Sequence, residues 1–537
     1  MSRWHKLSCK APEIHIDGEL PRCRGCESAP DLEYLISKRS KSSAPWEASP
    51  DKPIGKLNLH WPSCVRYRRL QDSLVAGKAE LDEGELSYGE AESTSTPVST
   101  ALTPTVTSYI YDKSLRRDEL RLLCVDSAPI NREKSPVHVN LEIYSDDHCP
   151  EYEALSYAWG EEDGNKAQIQ PLYVGPYWDI MLQTKNCWHA LRYLRPCRGV
   201  RMVWIDAICI NQENMVEREE QVAKMGKIYS RCLRAVVWLG DDIVKSNQPG
   251  RDCSPYPTRC FFDDLVPTKP NGSIGLTQML KLQYFQRIWI IQELILPPEL
   301  IIPVQGKEFL VNQSRLNRIN HPWEMTDTPW FKYICTGSSL MRQNLYEIMH
   351  DTWRSCATDP RDKIFGTLGL TFGDSFALQI KPDYSISNTH VYIGAVAHVL
   401  LNLKKSQYLL GSFPRHESWT FPSWLSNWDN RKDLDYAWKM RSLYERFPQH
   451  GFWPLDPVPD RWHKLFNRSQ KGSHIIKILN RNAGNWKRSL YRTNLGARWY
   501  HDASVDPSTA TLSINLIHLV NWESRDRPQP SPLGIAP

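Results

Sequence analysis

The sequence lacks long apolar runs. No stretch of its 537 residues reaches the roughly 18 uninterrupted apolar residues that a membrane-spanning helix needs. The N-terminus also lacks the apolar segment of a secretory signal peptide. We therefore expect a chain without a membrane span that works in the cytoplasm. In that reducing compartment its 14 cysteines are expected to be thiols rather than disulfides.

A strong charge imbalance is missing as well. The 66 lysines and arginines nearly balance the 61 aspartates and glutamates, which leaves a net charge of +5. No basic block is interleaved with aromatic residues, so nucleic acid is not expected as a partner. Neither a Walker-type phosphate loop nor a dinucleotide fingerprint follows any predicted strand, which argues against the standard nucleotide-binding folds.

Composition divides the chain into four regions. Residues 1–88 form an N-terminal annex with a cysteine cluster, and residues 89–108 form a Ser/Thr/Pro-rich linker with almost no large apolar side chains. Such a composition is typical of disorder, so we expect the N-terminal region to be partly disordered. Residues 109–430 hold the predicted folded domain, and residues 431–537 form a C-terminal region to which no fold is assigned.

Strand and helix patterns alternate through the folded domain. The segments "YEALSYAWG" (152–160), "RMVWIDAICI" (201–210) and "AVVWLGDD" (235–242) have the apolar character of buried strands. Residues 213–233 carry one apolar face, with Glu in the first turns and Lys/Arg in the last, and so predict a helix. Strand, helix and strand in this order indicate a right-handed βαβ unit. The predicted fold class is α/β with a parallel sheet.

Polar or aromatic residues stand where three of these strands end. They are Trp159, Asp206, Asn211 and Asp241. In an open parallel sheet, ligands bind beyond the carboxyl ends of the strands, so these residues are candidates for binding a ligand. A second interpretation stays open for Asp206, because an aspartate after a strand is also a common turn residue.

An acid at the end of the apolar segment "FQRIWIIQEL" is a further candidate for the same site. The isoleucines of this segment suit a strand as well as a buried helix. On a helix, Glu293 would share one face with Phe285 and Trp289, while Arg287 would be turned away from it. A buried carboxylate is costly unless it has partners, so its position needs a reason. Either Glu293 contributes to the candidate ligand site, or it is a structural acid that accepts backbone hydrogen bonds or pairs with a distant arginine such as Arg361.

A helix start is predicted in "ATDPRDKIFGTLGL", with Asp359 as the N-cap and Pro360 at the first helical position. Arg361 follows directly and has two interpretations. It binds a phosphate group of a ligand, or it forms a local ion pair with Asp362 at the start of the helix.

Three cysteines of the annex are candidate metal ligands. Cys9, Cys23 and Cys26 would bind zinc with Cys64 or His60 as the fourth ligand. The spacing contains a single C-x-x-C pair, whereas structural zinc sites usually have two paired clusters.

Several segments together resemble the fungal heterokaryon-incompatibility (HET) domain. They are "YEALSYAWG", "VWIDAICINQ", the helix that precedes "VVWLG", "RIWIIQE" and "DPRDKIFGTLGL", with "KPDYS" (381–385) and "FPSWLSNW" (421–428) downstream. The resemblance covers residues 118–430 and is densest between 151 and 296. It departs from the family at Cys187, where such proteins usually have Leu.

This resemblance implies a role in fungal allorecognition, in which HET proteins trigger programmed cell death. It also implies a three-layer core similar to Toll/interleukin-receptor (TIR) and flavodoxin-like domains, with helical additions. In TIR domains that cleave NAD, the catalytic glutamate is the last residue of a Trp-Cys-x-x-Glu pattern. Trp289 and Glu293 have the same spacing, but the cysteine is missing. NAD is thus a candidate substrate.

Two mechanisms of different class remain open. In the first, the domain cleaves NAD with Glu293 as the key carboxylate, and Trp159, Asp206 and Trp289 shape the pocket. The reaction passes through an oxocarbenium-like state that a carboxylate stabilises, as in glycoside hydrolysis. In the second, the domain is a non-enzymatic signalling module that acts by self-association or through other incompatibility or signalling proteins. The fold does not choose between them.

Overall fold

The computed structural model describes residues 3–6, 8–17, 20–39, 49–53, 55–68, 110–127, 135–160, 164–244, 259–261, 275–319, 323, 326–336, 344–371, 380–403, 422, 424–425 and 504–513. The predicted linker, residues 89–108, lies outside the described residues. So does most of the C-terminal region.

The strands are β1 (Ile14–Asp17), β2 (Leu20–Cys23), β3 (Glu119–Asp126), β4 (His138–Ser145), β5 (Glu153–Tyr157), β6 (Gln168–Val174), β7 (Asp179–Thr184), β8 (Val200–Trp204), β9 (Arg234–Trp238), β10 (Arg259–Phe261), β11 (Leu300–Val304), β12 (Lys307–Val311), β13 (Ser504–Val505) and β14 (Leu512–Ser513).

The α-helices are α1 (Leu32–Arg39), α2 (Lys185–Leu194), α3 (Asp206–Cys209), α4 (Met215–Arg231), α5 (Asp241–Val244), α6 (Leu276–Met279), α7 (Gln283–Gln286), α8 (Ile290–Ile295), α9 (Gln313–Leu316), α10 (Leu345–Thr352), α11 (Asp362–Leu368) and α12 (Asn388–Leu401). A 3₁₀ helix spans Pro329–Tyr333.

Strands β3 to β12 form one ten-stranded sheet within the described residues, in the order β10-β12-β11-β9-β5-β8-β3-β4-β6-β7. β5 lies near its centre and pairs in parallel with both β8 and β9, and β11 pairs in parallel with β9. Farther out, β3 runs antiparallel to β8 and β4, and the hairpins β6–β7 and β11–β12 are antiparallel. The predicted α/β class is confirmed. Parallel pairing occupies the centre and recurs farther out between β4 and β6 and between β10 and β12, and the antiparallel pairs make the sheet mixed.

The predicted βαβ unit is present as β8, α4 and β9. Both strands run parallel to β5, which lies between them. Asn214 caps α4 by accepting the backbone N–H of Glu217 at 3.2 Å. The strand predicted over 201–210 is wrong in its second half. The chain turns into α3 after Ile205, whose carbonyl accepts the N–H of Cys209 at 2.7 Å.

The apolar side chains form two main clusters. The first surrounds the central strands and includes Trp204 and Trp238. The second surrounds α12 and includes side chains from α10, α11 and the N-terminal residues 57–65. Trp289 packs against both clusters. The two also meet where Gly226 of α4 lies against Gly369, so closely that a Cβ on Gly226 would lie 2.8 Å from the Gly369 Cα.

The ends of the chain contribute to the second cluster. Leu57, Leu59 and Val65 of the annex are buried there, together with Val505 and Leu512 of the C-terminal region. The backbone N–H groups of Gly55 and Leu57 both donate to the carbonyl of Ser508, at 2.8 and 3.2 Å. The described parts of the annex and of the C-terminal region therefore pack with the folded domain rather than apart from it.

The segment "FQRIWIIQEL" is helical but interrupted. Helix α7 ends at Gln286, and Arg287 has an extended backbone with ψ of 140°. The cause is a pairing with another segment, since Cys356 donates its N–H to Gln286 and accepts the N–H of Ile288 at 2.9 Å. The prediction that Phe285, Trp289 and Glu293 share one continuous helix face is therefore wrong.

In the part of the chain that the structure describes, none of the helices has the length and apolar character needed to cross a membrane.

Candidate functional site

The carboxyl end of β5 holds a buried acid, Glu293. Ser156 of β5 donates its hydroxyl proton to the Glu293 carboxylate. The Ser156 Oγ also lies 2.5 Å from the phenol oxygen of Tyr284. Glu293 is 4% exposed, Ser156 0% and Tyr284 2%. Three elements converge here, because Ser156 belongs to β5, Tyr284 to α7 and Glu293 to α8.

The pKa of Glu293 is shifted strongly. Burial raises its pKa from an ordinary 4.5 to about 7. The negative charge of Asp206 also raises this pKa, whereas the positive charge of Arg287 and the hydrogen bond from Ser156 lower it. Near neutral pH, both protonation states of Glu293 are therefore populated. This is the range in which a group transfers protons most effectively.

Arg287 supplies the positive charge of this region. Its Nη1 donates to the carbonyl of Tyr157 at 2.5 Å, which holds the guanidinium at the end of β5. The charge of Arg287 lowers the pKa of both Glu293 and Asp206. The expectation that Arg287 turns away from Glu293 assumed a continuous helix, which is interrupted after Gln286, and the charge of Arg287 does act on Glu293.

Asp206 and Trp159 meet beside this acid. The indole N–H of Trp159 donates to Asp206 Oδ2 at 2.9 Å. Asp206 Oδ1 accepts the N–H of Ala207 at 2.7 Å, so Asp206 also stabilises the first turn of α3, as the turn interpretation predicted. Burial raises the pKa of Asp206, and the Trp159 hydrogen bond opposes that rise. Trp159 and Asp206 are half-buried, whereas Glu293 is buried.

The structure thus brings together three of the predicted site residues, Glu293, Asp206 and Trp159. It adds Ser156 and Tyr284, which the sequence analysis missed. For Ser156 a signal was present, since a hydroxyl inside the apolar strand "YEALSYAWG" must find a buried partner. We find no comparable signal for Tyr284.

Asn211 and Asp241 have contacts of their own. The backbone N–H of Asn211 donates to Glu217 at 2.8 Å, and its side-chain oxygen accepts the N–H of Glu213 at 3.2 Å. These bonds fix the loop before α4. Asp241 lies in the first turn of α5, 3.7 Å from Nδ1 of His189 on α2. Asn211 therefore contacts α4 and the loop before it, and Asp241 contacts α2.

Trp289 and Arg361 form their hydrogen bonds next to the second cluster. The indole N–H of Trp289 donates to Asp362 at 2.9 Å. Arg361 is 0% exposed, forms a 2.6 Å ion pair with Asp359 and donates to two backbone carbonyls. Its local pairing is therefore with Asp359 rather than with Asp362. It is not the partner of Glu293. Helix α11 begins at Asp362, and Pro360 lies in the preceding turn, where Asp359 accepts the N–H of Arg361 at 3.0 Å.

The cysteines of the annex are only partly brought together. Cys9, Cys23 and Cys26 form a cluster with His5, and their ligand atoms all lie within 4.8 Å of one another. Cys64, the predicted fourth ligand, lies elsewhere. Its sulfur is 3.6 Å from Nδ1 of His398, on the helix at the centre of the second cluster. The other candidate, His60, contacts the carbonyl of Asn58 at 3.0 Å. The sequence analysis missed His5, because a lone histidine near the N-terminus carries no local pattern.

Comparison with known families identifies the central region. Residues 152–293 match the family model of the heterokaryon incompatibility protein (HET). This segment runs from the residue before β5 to Glu293 and contains Ser156, Asp206 and Arg287. The resemblance drawn from the sequence motifs is therefore confirmed for this segment.

One curated relative extends the similarity beyond this segment. Heterokaryon incompatibility protein 6, OR allele, of Neurospora crassa is 26% identical over 385 residues, a match that covers 55% of this chain and 55% of that protein. The chain thus matches about half the length of this relative. No solved structure matches the chain.

Proposed function

We propose that this chain acts in fungal heterokaryon incompatibility, where it triggers cell death after the fusion of incompatible individuals. The HET domain over residues 152–293 supports this role, as does the relative named as an incompatibility protein. The role itself does not define a chemical reaction. That part of the proposal depends on the residues around Glu293.

The proposed reaction is hydrolysis of NAD at the bond between nicotinamide and ribose. This C–N bond breaks, and its electron pair leaves with nicotinamide. Water then adds to the ribose C1′ and gives up a proton, which produces ADP-ribose. The observation that carries the proposal is the buried carboxyl of Glu293 with its pKa of about 7. In its ionised form it stabilises the oxocarbenium-like state, and it can accept the proton of the attacking water.

The neighbouring residues have separate roles in this proposal. Ser156 and Tyr284 hold the Glu293 carboxyl in place at the end of β5. Trp159 and Asp206 are half-buried and offer an indole face and a carboxylate to a ligand that approaches from solvent. The position beyond the ends of parallel strands is where ligands of α/β folds bind. A TIR-like arrangement of the central strands is part of the same proposal.

The test compares substitutions of two buried acids, each made in the whole chain. Glu293→Gln removes the proposed catalytic carboxylate. Asp362→Asn removes another buried acid, which has a pKa raised to about 6 by burial and accepts hydrogen bonds from Tyr384 and Trp289. Each variant is expressed in a fungal host, and cell survival and cellular NAD are measured. Purified protein is also incubated with NAD, and released nicotinamide is quantified.

We expect the wild type and Asp362→Asn to kill cells and deplete NAD. Glu293→Gln should lower the hydrolysis rate by about 100-fold or more, the usual effect of losing a general acid–base group. If the wild type kills without NAD loss, or if Glu293→Gln depletes NAD as fast as the wild type, NAD cleavage is disproved.

A second candidate function is a non-enzymatic signalling module. The observation that favours it is the exposure of Glu293, which at 4% is typical of an enclosed structural acid. In this case the domain acts by self-association or by recruiting other incompatibility proteins. Killing would then persist in Glu293→Gln, and surface substitutions that prevent association would abolish it.

A further inference from the structure

The cluster of His5, Cys9, Cys23 and Cys26 has the composition of a structural zinc site. Three sulfurs and one imidazole nitrogen form a common closed ligand set for zinc. The three cysteines are free thiols. Cys23, Cys26 and His5 are buried, and Cys9 is half-buried. The four residues lie outside the segment that matches the HET family.

Two distances within the cluster agree with tetrahedral coordination. With Zn–S bonds of about 2.3 Å and Zn–N bonds of about 2.0 Å, two sulfurs of one site lie about 3.8 Å apart, and a sulfur and a nitrogen about 3.5 Å apart. The Sγ atoms of Cys9 and Cys23 are 3.8 Å apart, and Cys26 Sγ lies 3.5 Å from His5 Nδ1. These two pairs thus have the spacing of opposite edges of a zinc tetrahedron.

The second nitrogen of His5 selects the tautomer that a metal requires. Nε2 lies 2.9 Å from the carbonyl oxygen of Tyr177, which can only accept a hydrogen bond. Nε2 therefore carries the proton, and the lone pair of Nδ1 points to the cysteines. Metal-bound histidines usually donate their other N–H to a carbonyl or carboxylate in this way.

Local backbone structure presents the cysteine ligands. Strands β1 and β2 form a hairpin that ends at Cys23, and a tight turn follows in which Glu27 donates its N–H to the Cys23 carbonyl at 2.8 Å. This turn brings Cys26 back beside Cys23. On the other side, Cys9 donates its N–H to the carbonyl of Lys6 at 2.8 Å, which places it near His5.

The histidine connects the cluster to the large sheet. Tyr177 and Trp178 form the turn between β6 and β7, and β7 is a terminal strand of the sheet. Trp4 donates its indole N–H to the carbonyl of Trp178 at 2.8 Å, and Arg3 forms a 3.0 Å ion pair with Asp179.

Apolar contacts accompany these polar ones. Trp4 and side chains of α1 pack on a small cluster formed by Tyr173, Ile180 and Leu182. This packing covers apolar residues of β6 and β7 that would otherwise face solvent.

We propose that His5, Cys9, Cys23 and Cys26 bind one structural zinc ion that fixes the N-terminal segment onto the β6–β7 hairpin. The ion joins residues distant in sequence, and through His5 it is anchored to the HET domain. This inference does not depend on the proposed NAD cleavage, because the cluster is separate from Glu293.

The test measures zinc in the whole chain after native purification without a metal-affinity step. We expect about one zinc per chain in the wild type. Cys23→Ser and His5→Ala should lose that zinc. Cys64→Ser is the matched control, since this half-buried thiol of the annex lies outside the cluster, and it should keep the zinc. Limited proteolysis of chelator-treated wild type should cleave the N-terminal segment several-fold faster than in untreated protein.

Cobalt substitution keeps the test decisive if a variant fails to fold. Wild-type chain purified from cobalt-grown cells should show the absorption bands of tetrahedral cobalt with thiolate charge transfer. The proposal is overturned if the wild type contains less than about a tenth of an equivalent of zinc and shows no such bands. It is equally overturned if Cys64→Ser loses the metal while Cys23→Ser keeps it, or if mass spectrometry finds a Cys9–Cys23 disulfide.

Discussion

The two ends of strand β5 each hold a buried glutamate, and their surroundings differ. Glu153 begins the strand and is bound by two cations, Arg201 and Arg234, which reach it from β8 and β9. At the other end, Glu293 contacts the hydroxyl of Ser156. Burial disfavours the charge of both acids. In Glu153 the two arginines outweigh burial and its pKa is lowered, whereas in Glu293 burial dominates and the pKa rises to about 7.

This difference separates a structural acid from a candidate functional one. The pairing of Glu153 serves the packing of three adjacent strands, and its charge is fully compensated. Glu293 is held near the midpoint of its titration at neutral pH, which is unfavourable for stability and favourable for proton transfer. A protein that only needed to fill this space would gain from a neutral residue here.

The largest effect is expected from Glu153→Gln. The substitution leaves two half-buried arginine side chains without the buried carboxylate that they share, and breaking a buried ion pair costs about 3–5 kcal/mol. Urea unfolding at pH 7 should show a loss of this size. A loss below about 1 kcal/mol would mean that the two ends of β5 do not differ in the way described.

Glu293→Gln should instead stabilise the folded protein, by an amount that depends on pH. The folded-state pKa is about 7 and the ordinary value 4.5, so between these values the folded state binds more protons than the unfolded state. Stability of the wild type therefore falls as pH rises from 4.5 through 7. The neutral variant avoids this loss. It should be about 3 kcal/mol more stable above pH 8 and similar to wild type near pH 4. Urea unfolding across this range measures it, and destabilisation of the variant at pH 8 would identify Glu293 as a structural acid.

Asp206→Asn should lower the pKa of Glu293. The negative charge of Asp206 raises the pKa of Glu293, so its removal lowers that pKa. The fall of stability with pH should then be centred at lower pH than in the wild type, and so should the pH profile of NAD cleavage. An unchanged midpoint in both measurements would show that the two carboxylates do not interact.

Ser156→Ala should give the smallest effect, in the opposite direction. The Ser156 hydrogen bond lowers the pKa of Glu293, so the variant raises it. The lost bond should reduce stability by about 1 kcal/mol at pH 6. The pH midpoint of stability loss should rise, which a purely structural defect would not produce. Together with Asp206→Asn, this variant tests whether the neighbours of Glu293 set its protonation.

The central strands and the main helix were predictable because their patterns are local. Short apolar segments predicted β5, β8 and β9. One apolar face, with the expected charges at its two ends, predicted α4. The interruption in "FQRIWIIQEL" was not predictable, since Arg287 leaves the helix to pair with Cys356, a residue far along the chain.

The residues of the candidate site were likewise predictable only where a local sequence pattern marks them. Glu293, Asp206 and Trp159 stand out because each is a polar or aromatic residue at the end of an apolar segment. Ser156 and Tyr284 meet Glu293 through tertiary packing of β5, α7 and α8, which no local pattern records. His5 was missed for the same reason, because Tyr177 of the sheet orients it.

The short helix α8 limits how far this protein can be truncated. This helix and the preceding Trp289 contact both sides of the fold. Glu293 accepts a hydrogen bond from Ser156, while Gln292 donates to the Gly366 carbonyl at 2.6 Å and Trp289 donates to Asp362. The family match ends at Glu293, but the packing does not. A fragment trimmed to residues 152–293 would expose one side of this helix to water. A shortened chain meant for expression therefore needs to extend at least through α12, with the N-terminal residues 55–68 retained.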